Sequence, residues 1–267
     1  MDASSASHAL LTEADGVITV TFDRQDKLNA ISPQMTARLW DAVRALGDRD
    51  DLRVLVITGL GRYFTAGIDL NHPAADRRGG KLPSDIAYRR IYRRHHLLYD
   101  ELEAVEKPVI LAAQGGCLGA GVEMGASCDF RFAARSAFFQ LPEIGLGVIA
   151  GSGGTSRLTR IVGPHWGKWM AMAGERVSAE QALAIGFVHQ VFPDETFAAD
   201  AKRFARKLAA LPPEAVGAAK LAVDIAADVD RTTQRHVDRL ANTSLAGRDD
   251  FLQRTAAFRA EQAGPAE

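Results

Sequence analysis

The sequence predicts an α/β protein, and three observations carry that prediction. Short β-branched segments alternate along the chain with longer segments of helical spacing. The chain has 267 residues, 47% of them hydrophobic, enough to bury a large core without disulfides or a structural metal. The strand and helix segments dominate up to about residue 197, after which the sequence is alanine-rich and helical. We therefore divide the chain into a core, residues 1–197, and a helical C-terminal region, residues 198–267.

Val17–Phe22 (VITVTF) alternates and is β-branched, so it reads as a strand. Leu28–Ile31 interrupts the pattern. Ser32-Pro33 then supplies an N-cap and a proline at the first helical position, and Met35, Leu39, Trp40, Val43 and Leu46 continue at helical spacing. Val54–Thr58 (VLVIT) and Pro108–Ala113 (PVILAA) read as buried strands, and Phe130–Ala133 and Ala137–Gln140 as two more. Ser84–Leu102 reads as an exposed amphipathic helix, whose Arg89, Arg90, Arg93 and Arg94 form a solvated face or meet phosphates. Pro212-Pro213 breaks the helical C-terminal region.

Composition excludes several functions. The 32 Lys and Arg balance 33 Asp and Glu, which argues against a nucleic-acid partner held by bulk charge. No apolar run approaches the ~20 residues of a membrane span. The N-terminus lacks the basic start and apolar stretch of a secretory signal, so a cytoplasmic location is expected. Cys117 and Cys128 are too few and wrongly spaced for a zinc site or a disulfide framework, and no metal is expected.

Glycines cluster at 59–67, 115–125, 145–154 and 163–167, where backbone turns sharply or approaches a ligand. A phosphate loop would need Ser or Thr after Gly167-Lys168, where Trp169 stands. GLGVIA (Gly145–Ala150) lacks the strand-to-helix context and the later acidic residue of a dinucleotide fingerprint. Ala150–Gly154 (AGSGG) fits a loosened nucleophile elbow. A serine hydrolase using Ser152 with His236 and either Asp194 or Asp224 is therefore an alternative.

Two of the glycine clusters carry a carboxylate. Glu123, in LGAGVEM (Leu118–Met124), follows a glycine turn and falls in the first turn of a helix, where unpaired N–H groups favour negative charge. Glu143, in FQLPEIGLG (Phe139–Gly147), has apolar neighbours that would raise its pKa. Two carboxylates in different settings suit paired acid and base roles; helix capping and a plain loop position are the bland alternatives.

FTAGIDL (Phe64–Leu70), GGCLGAGVE (Gly115–Glu123), Cys128-Asp129 and PEIGLGVIAGSGGTSR (Pro142–Arg157) together resemble the enoyl-CoA hydratase/isomerase (crotonase) superfamily, with weaker similarity from about Leu10 to Phe258. The resemblance implies a crotonase spiral of repeated strand-strand-helix turns. It also implies a helical C-terminal region that builds homotrimers, often paired into hexamers. It implies an oxyanion hole for an acyl-CoA thioester, made by the N–H of Ile68 and that of Ala120, where the family usually has glycine. Ala66, Gly67, Ile68, Asp69 and Leu70, with Ala120, would line the substrate site. Glu123 would activate water and Glu143 supply a proton, as in hydratases that convert a trans-2-enoyl-CoA to a 3-hydroxyacyl-CoA. No cofactor is implied, because coenzyme A enters as part of the substrate.

FTAGIDL, GGCLGAGV and AFFQ also look like the superfamily's dienoyl-CoA isomerases. Those enzymes have an aspartate where Glu123 stands and another where Gly151 stands, so an isomerase is the runner-up. A non-catalytic RNA-binding or assembly role through the arginines of Ser84–Arg94 has less support, since such a chain would not need both glutamates. His95-His96 offers no chelating geometry. Asp69 is read as orienting the oxyanion loop or as solvated. Arg254 and Lys27 fall near segments that meet coenzyme A in the family.

Overall fold

The computed structural model describes residues 8–70 and 85–262. Among these residues the chain forms two compact units, 1–209 and 210–267.

In the first unit, strand β1 (Ala9–Ala14) pairs antiparallel with β2 (Val17–Phe22), which leads into helix α1 (Pro33–Asp48). The expected N-cap is present, since Ser32 Oγ accepts from Met35 N–H at 3.3 Å. Met35, Leu39, Ala42, Val43 and Leu46 form the helix's buried stripe. From there the chain repeats a strand-strand-helix turn: β3 (Val54–Gly59), β4 (Tyr63–Thr65) and α2 (Asp85–Ala104); β5 (Val109–Ala113), β6 (Gly116–Leu118) and α3 (Ala120–Ala126); β7 (Phe130–Ala134), β8 (Phe138–Gln140) and α4 (Arg157–Ala171). Strand β9 (Val177–Ser178), helix α5 (Ala179–Ala184), strand β10 (Gln190–Phe192) and helix α6 (Phe197–Ala209) complete the unit.

The first strand of each turn enters one sheet and the second enters another. The sheets run β1-β2-β3-β5-β7-β10 and β4-β6-β8-β9. Within each, the strands contributed by successive turns pair in parallel. Both faces of the larger sheet are buried at its central strands β3 and β5, which explains why these read as continuous apolar runs. Leu55, Ile57, Val109, Leu111 and Ala113 point into the main core with the α1 stripe. The alternate residues Val54, Val56, Ile110 and Ala112 face a second cluster with Phe132, Phe197, Ala201 and Ala205.

That second cluster bears on the division of the chain. Helix α6, which the sequence reading placed in the C-terminal region beginning at residue 198, buries Phe197, Ala201 and Ala205 against the larger sheet. It belongs with the first unit, which ends at Ala209. The second unit consists of α7 (Pro213–Ala226), α8 (Arg231–Ala246) and α9 (Asp249–Gln262). The expected break at Pro212-Pro213 is observed, with Pro213 opening α7. No described helix is long and apolar enough to cross a membrane.

The short helix α3 is held at its C-terminal end by a buried guanidinium. Arg131, 7% exposed, donates to the carbonyls of Gly125, Cys128 and Phe187. It thereby ties the end of α3 to the segment before β10, satisfying carbonyls that the helix leaves open. Burial lowers its pKa from the ordinary arginine value, which marks the cost of holding a charge there. Arg131→Leu should therefore lower the stability of the first unit by about 2–4 kcal/mol in urea unfolding, because the carbonyls lose their donor. An unchanged midpoint would show that the clamp contributes nothing.

Candidate active site

Strands β4, β6 and β8 lie side by side and parallel, so their C-terminal ends emerge along one edge of the smaller sheet. Each end opens into one of the segments singled out in the sequence. Strand β4 leads to Ala66–Leu70, β6 to Gly119 and α3, and β8 to Leu141 and a 3-10 helix, Pro142–Leu146. Parallel pairing thus gathers, at the carboxyl ends of adjacent strands, residues that lie 75 positions apart between Ile68 and Glu143.

The first segment is pinned by nearly all of its amides. Ala66 N–H donates to Leu28 O, and Gly67 N–H to Thr65 Oγ1, whose hydroxyl in turn donates to Asn29 O. Gly67 O accepts from Ile31 N–H at 2.8 Å, and Asp69 N–H donates to Ile31 O at 3.1 Å, a parallel bridge. Between these paired groups, Ile68 N–H has no acceptor among the described residues. Asp69 accepts from Arg24 Nη1 at 2.6 Å, and both side chains are largely buried. The side chain of Asp69 therefore anchors the loop.

The second segment faces the first. Gly67 adopts φ +90°, and a Cβ there would lie 3.2 Å from Leu118 O and 3.7 Å from Ala120 N. A side chain at 67 would thus crowd the turn that holds the second amide. Gly119 N–H donates to Gln140 O, while Gly119 O accepts from Val122 N–H and Glu123 N–H. Ala120 opens α3 and is 2% exposed, yet its N–H has no acceptor among the described residues. Its carbonyl accepts from the hydroxyl of Tyr99 at 3.1 Å. Full burial pushes the Tyr99 pKa well above its ordinary value, so the hydroxyl stays protonated and keeps donating. The methyl of Ala120, in place of the usual glycine, is accommodated in the core.

Glu123 follows in the first turn of α3, as its glycine context predicts. It is 5% exposed, and its Oε1 accepts from Ser152 N–H at 2.6 Å and Gly154 N–H at 3.2 Å. Burial raises its pKa from the ordinary value to about 7, helped by the nearby Glu143 carboxylate and opposed by the two N–H bonds and by Arg157. Arg157 is itself held by Asp100 and by Glu103 at 2.8 Å.

Glu143 reaches back over Gly119. A Cβ at that glycine, which adopts φ +51°, would lie 2.4 Å from Glu143 Oε1. Burial raises the Glu143 pKa, and its buried Oε2 has no hydrogen-bond partner. Both carboxyl groups are thus close enough to interact, beside the turn that carries the free Ala120 amide.

Other sequence candidates fall elsewhere. Ser152 contributes its N–H to Glu123, and no histidine meets its hydroxyl among the described residues. Asp194 accepts from the Ser136 N–H and hydroxyl instead, and Asp224 and His236 belong to the second unit. The triad geometry of a serine hydrolase is therefore missing between Ser152 and Asp194. Arg254 pairs with Asp250 in the second unit, and Lys27 ends a 3-10 turn, Gln25–Lys27. Part of the Ser84–Leu102 helix is core: Leu98, Tyr99 and Leu102 are buried. Sequence reasoning missed Tyr99, Arg24 and the amides of Ser152 and Gly154. Only the glycine spacing of GSGG hinted at backbone that approaches another group.

A cavity of about 630 Å³ adjoins this site at Gly151, the neighbour of Ser152. Arg89, Tyr92, Arg93, His96, Val148 and Ile149 line the rest of it. Among the described residues no three His, Cys, Asp or Glu side chains gather closely enough to ligate a metal ion.

Two N–H groups without acceptors among the described residues, at a sheet edge and flanked by two carboxyl groups of raised pKa, form an arrangement able to stabilise an oxygen that gains negative charge. Residues 12–263 match the enoyl-CoA hydratase/isomerase family, and the chain belongs to it. It is 36% identical to the 1,2-epoxyphenylacetyl-CoA isomerase of Escherichia coli, over 92% of this chain and 93% of that one. It is 34% identical to the 2,3-dehydroadipyl-CoA hydratase of the same organism, over 94% and 95%. The crystal structure of an enoyl-CoA hydratase from Bacillus anthracis superposes with a TM-score of 0.87 at 30% identity, covering 95% of this chain and 96% of that one. The fold is thus the crotonase fold that the sequence resemblance implied.

The raised pKa of Glu123 has a consequence for stability. The folded protein holds this proton more tightly than the unfolded chain, so the contribution is full in acid and is lost as pH rises towards and through about 7. Glu123→Gln keeps an oxygen acceptor for both amides and cannot ionise. It should match the wild type near pH 5 and exceed it by about 2–3 kcal/mol at pH 8, measured by chemical denaturation at both pH values. Equal stability at pH 8 would place the Glu123 pKa near its ordinary value.

Proposed function

We propose that this protein hydrates a trans-2-enoyl-CoA, adding water syn to give the 3-hydroxyacyl-CoA. The observation that carries the reading is the pair of carboxyl groups beside the turn that holds one of two unpaired backbone amides. A thioester oxygen accepting from Ile68 N–H and Ala120 N–H would place the conjugated double bond before Glu123 and Glu143.

Glu123, ionised, takes a proton from water as the water oxygen bonds to the β-carbon. Electron density moves through the double bond onto the thioester oxygen, where the two amides and the N-terminal end of α3 stabilise it. Each amide contributes roughly 3–4 kcal/mol in the transition state. Protonated Glu143 delivers a proton to the α-carbon as the carbonyl re-forms. One oxygen and two hydrogens have been added, and the proton on Glu123 returns through solvent to Glu143. The two N–H bonds to Glu123 favour its ionised form, and burial with no partner at Oε2 favours the acid form of Glu143.

The runner-up, diene isomerisation, needs a second proton-transferring carboxylate in place of Gly151. A Cβ at Gly151 would lie 2.9 Å from the Tyr92 ring, so that space is taken. This supports hydration over isomerisation. The reading also carries a homotrimer or a pair of trimers. The exposed apolar side chains of the second unit, among them Val223, Leu240, Phe251, Leu252 and Phe258, support it.

Glu123→Gln and Glu143→Gln should each lower hydration by about 10²–10⁴-fold with little change in binding of a saturated acyl-CoA. A panel of 2-enoyl-, 3-enoyl- and 3,5-dienoyl-CoA thioesters, followed by absorbance and product mass, tests the assignment. Turnover of the 2-enoyl substrate with gain of one water is expected. Turnover confined to the dienoyl substrate would replace the reading with the isomerase. The wild-type kcat/KM should be bell-shaped in pH, because ionised Glu123 and protonated Glu143 are both required.

A further inference from the structure

The cavity beyond Gly151 has an unusual lining for an acyl pocket. Val148, Ile149 and the Tyr92 ring supply apolar wall, but Arg89 and Arg93 also line it, four residues apart on one face of α2. Neither arginine forms an ion pair or hydrogen bond among the described residues, whereas Arg24, Arg49 and Arg157 all pair with carboxylates. One turn further along, His96 lines the same cavity, and its buried Nε2 has no hydrogen-bond partner. The cavity is bordered by Gly151, the residue next to Ser152, whose amide holds Glu123.

A purely hydrocarbon tail would fill the apolar wall, use neither of the two exposed guanidinium groups at its border, and leave the buried ring nitrogen of His96 unanswered. A tail that ends in a carboxylate would meet all three, since guanidinium pairs readily with carboxylate oxygens. We propose that the acyl group of the substrate carries an anionic terminus, a carboxylate at the end opposite the thioester, held by Arg89 and Arg93 with His96 beside them. The proposal rests on the acyl-CoA reading of the site for its orientation, because that reading puts the thioester oxygen at the amides of Ile68 and Ala120.

Binding of unreactive saturated thioesters tests it without depending on hydration. Titration calorimetry would compare ω-carboxyacyl-CoA with methyl-terminated acyl-CoA of equal length, from four to eight carbons, alongside free coenzyme A. The wild type should bind the best ω-carboxyacyl-CoA at least tenfold more tightly than its methyl-terminated counterpart. That preference should shrink as salt rises from 50 to 500 mM, amounts chosen to compress the screening length from roughly 14 to about 4 Å. Arg89→Ala/Arg93→Ala should lower the preference at least tenfold. Arg94→Ala, which removes the same charge from the same helix but does not line the cavity, should keep it. No preference in the wild type, or an equal loss from Arg94→Ala, would overturn the proposal. So would a double variant that loses affinity for free coenzyme A to the same extent, since the arginines would then be meeting its phosphates. A preference for the carboxylate in a protein that hydrates nothing would uphold this inference and remove the hydratase reading; hydration without the preference would do the reverse.

Discussion

Two backbone N–H groups, those of Ile68 and Ala120, are left without acceptors among the described residues, and the surrounding structure is organised around them. A buried amide with no partner costs about 1–3 kcal/mol, and folded chains avoid it. Ile68 is 36% exposed, so that cost does not fall on it in full, and because the groups on either side are all satisfied the omission is local. At Ala120 it follows from position, because the first amides of a helix have no carbonyl behind them. The surrounding structure holds both in place. Asn29, fully buried, donates through Nδ2 to Leu60 O and Tyr63 O, and its Oδ1 accepts from Arg24 N–H. Arg24 then anchors Asp69, one residue beyond the free amide. Such fixed donors cost no reorganisation when charge develops before them, which is why they are worth more than donors borrowed from water.

The same architecture sets the carboxylates. Because Gly119 lacks a side chain, Glu143 can lie over the turn that bears the second amide. Because α3 starts there, Glu123 arrives one turn later on the same element. Burial raises the pKa of both groups; two amides from the GSGG loop oppose this at Glu123, and a backbone N–H opposes it at Glu143, whose buried Oε2 has no partner. The two chemically identical side chains thus sit in different hydrogen-bonding environments. The loop's glycines, which a nucleophile elbow would also explain, serve this carboxylate instead.

The longer elements were legible in the sequence because their burial patterns are simple. Val17–Phe22, Val54–Thr58 and the Ser32-capped helix all stand where periodicity and capping placed them. Strands β4 and β6 were not legible: each has three residues, too few for any period, and pairing with neighbouring turns defines them. Those are the strands that assemble the site, so local pattern alone could not bring Ile68 to Ala120. The motifs that resemble the hydratase/isomerase family supplied that juxtaposition. Tyr99 and Arg24 stayed hidden because each acts across more than 20 residues of sequence, Tyr99 on Ala120 O and Arg24 on Asp69. The arginines of α2 are exposed, as a solvated face would be, and the sequence did not show that Arg89 and Arg93 also border a cavity.

The most direct measurement is isotope-edited infrared spectroscopy of a saturated acyl-CoA labelled with ¹³C at its thioester carbonyl. If Ile68 N–H and Ala120 N–H both donate to that oxygen, the bound carbonyl stretch falls well below its frequency in water and narrows, reflecting one fixed environment. A bound ligand whose carbonyl band keeps its solution frequency and breadth would contradict the account, whatever its affinity.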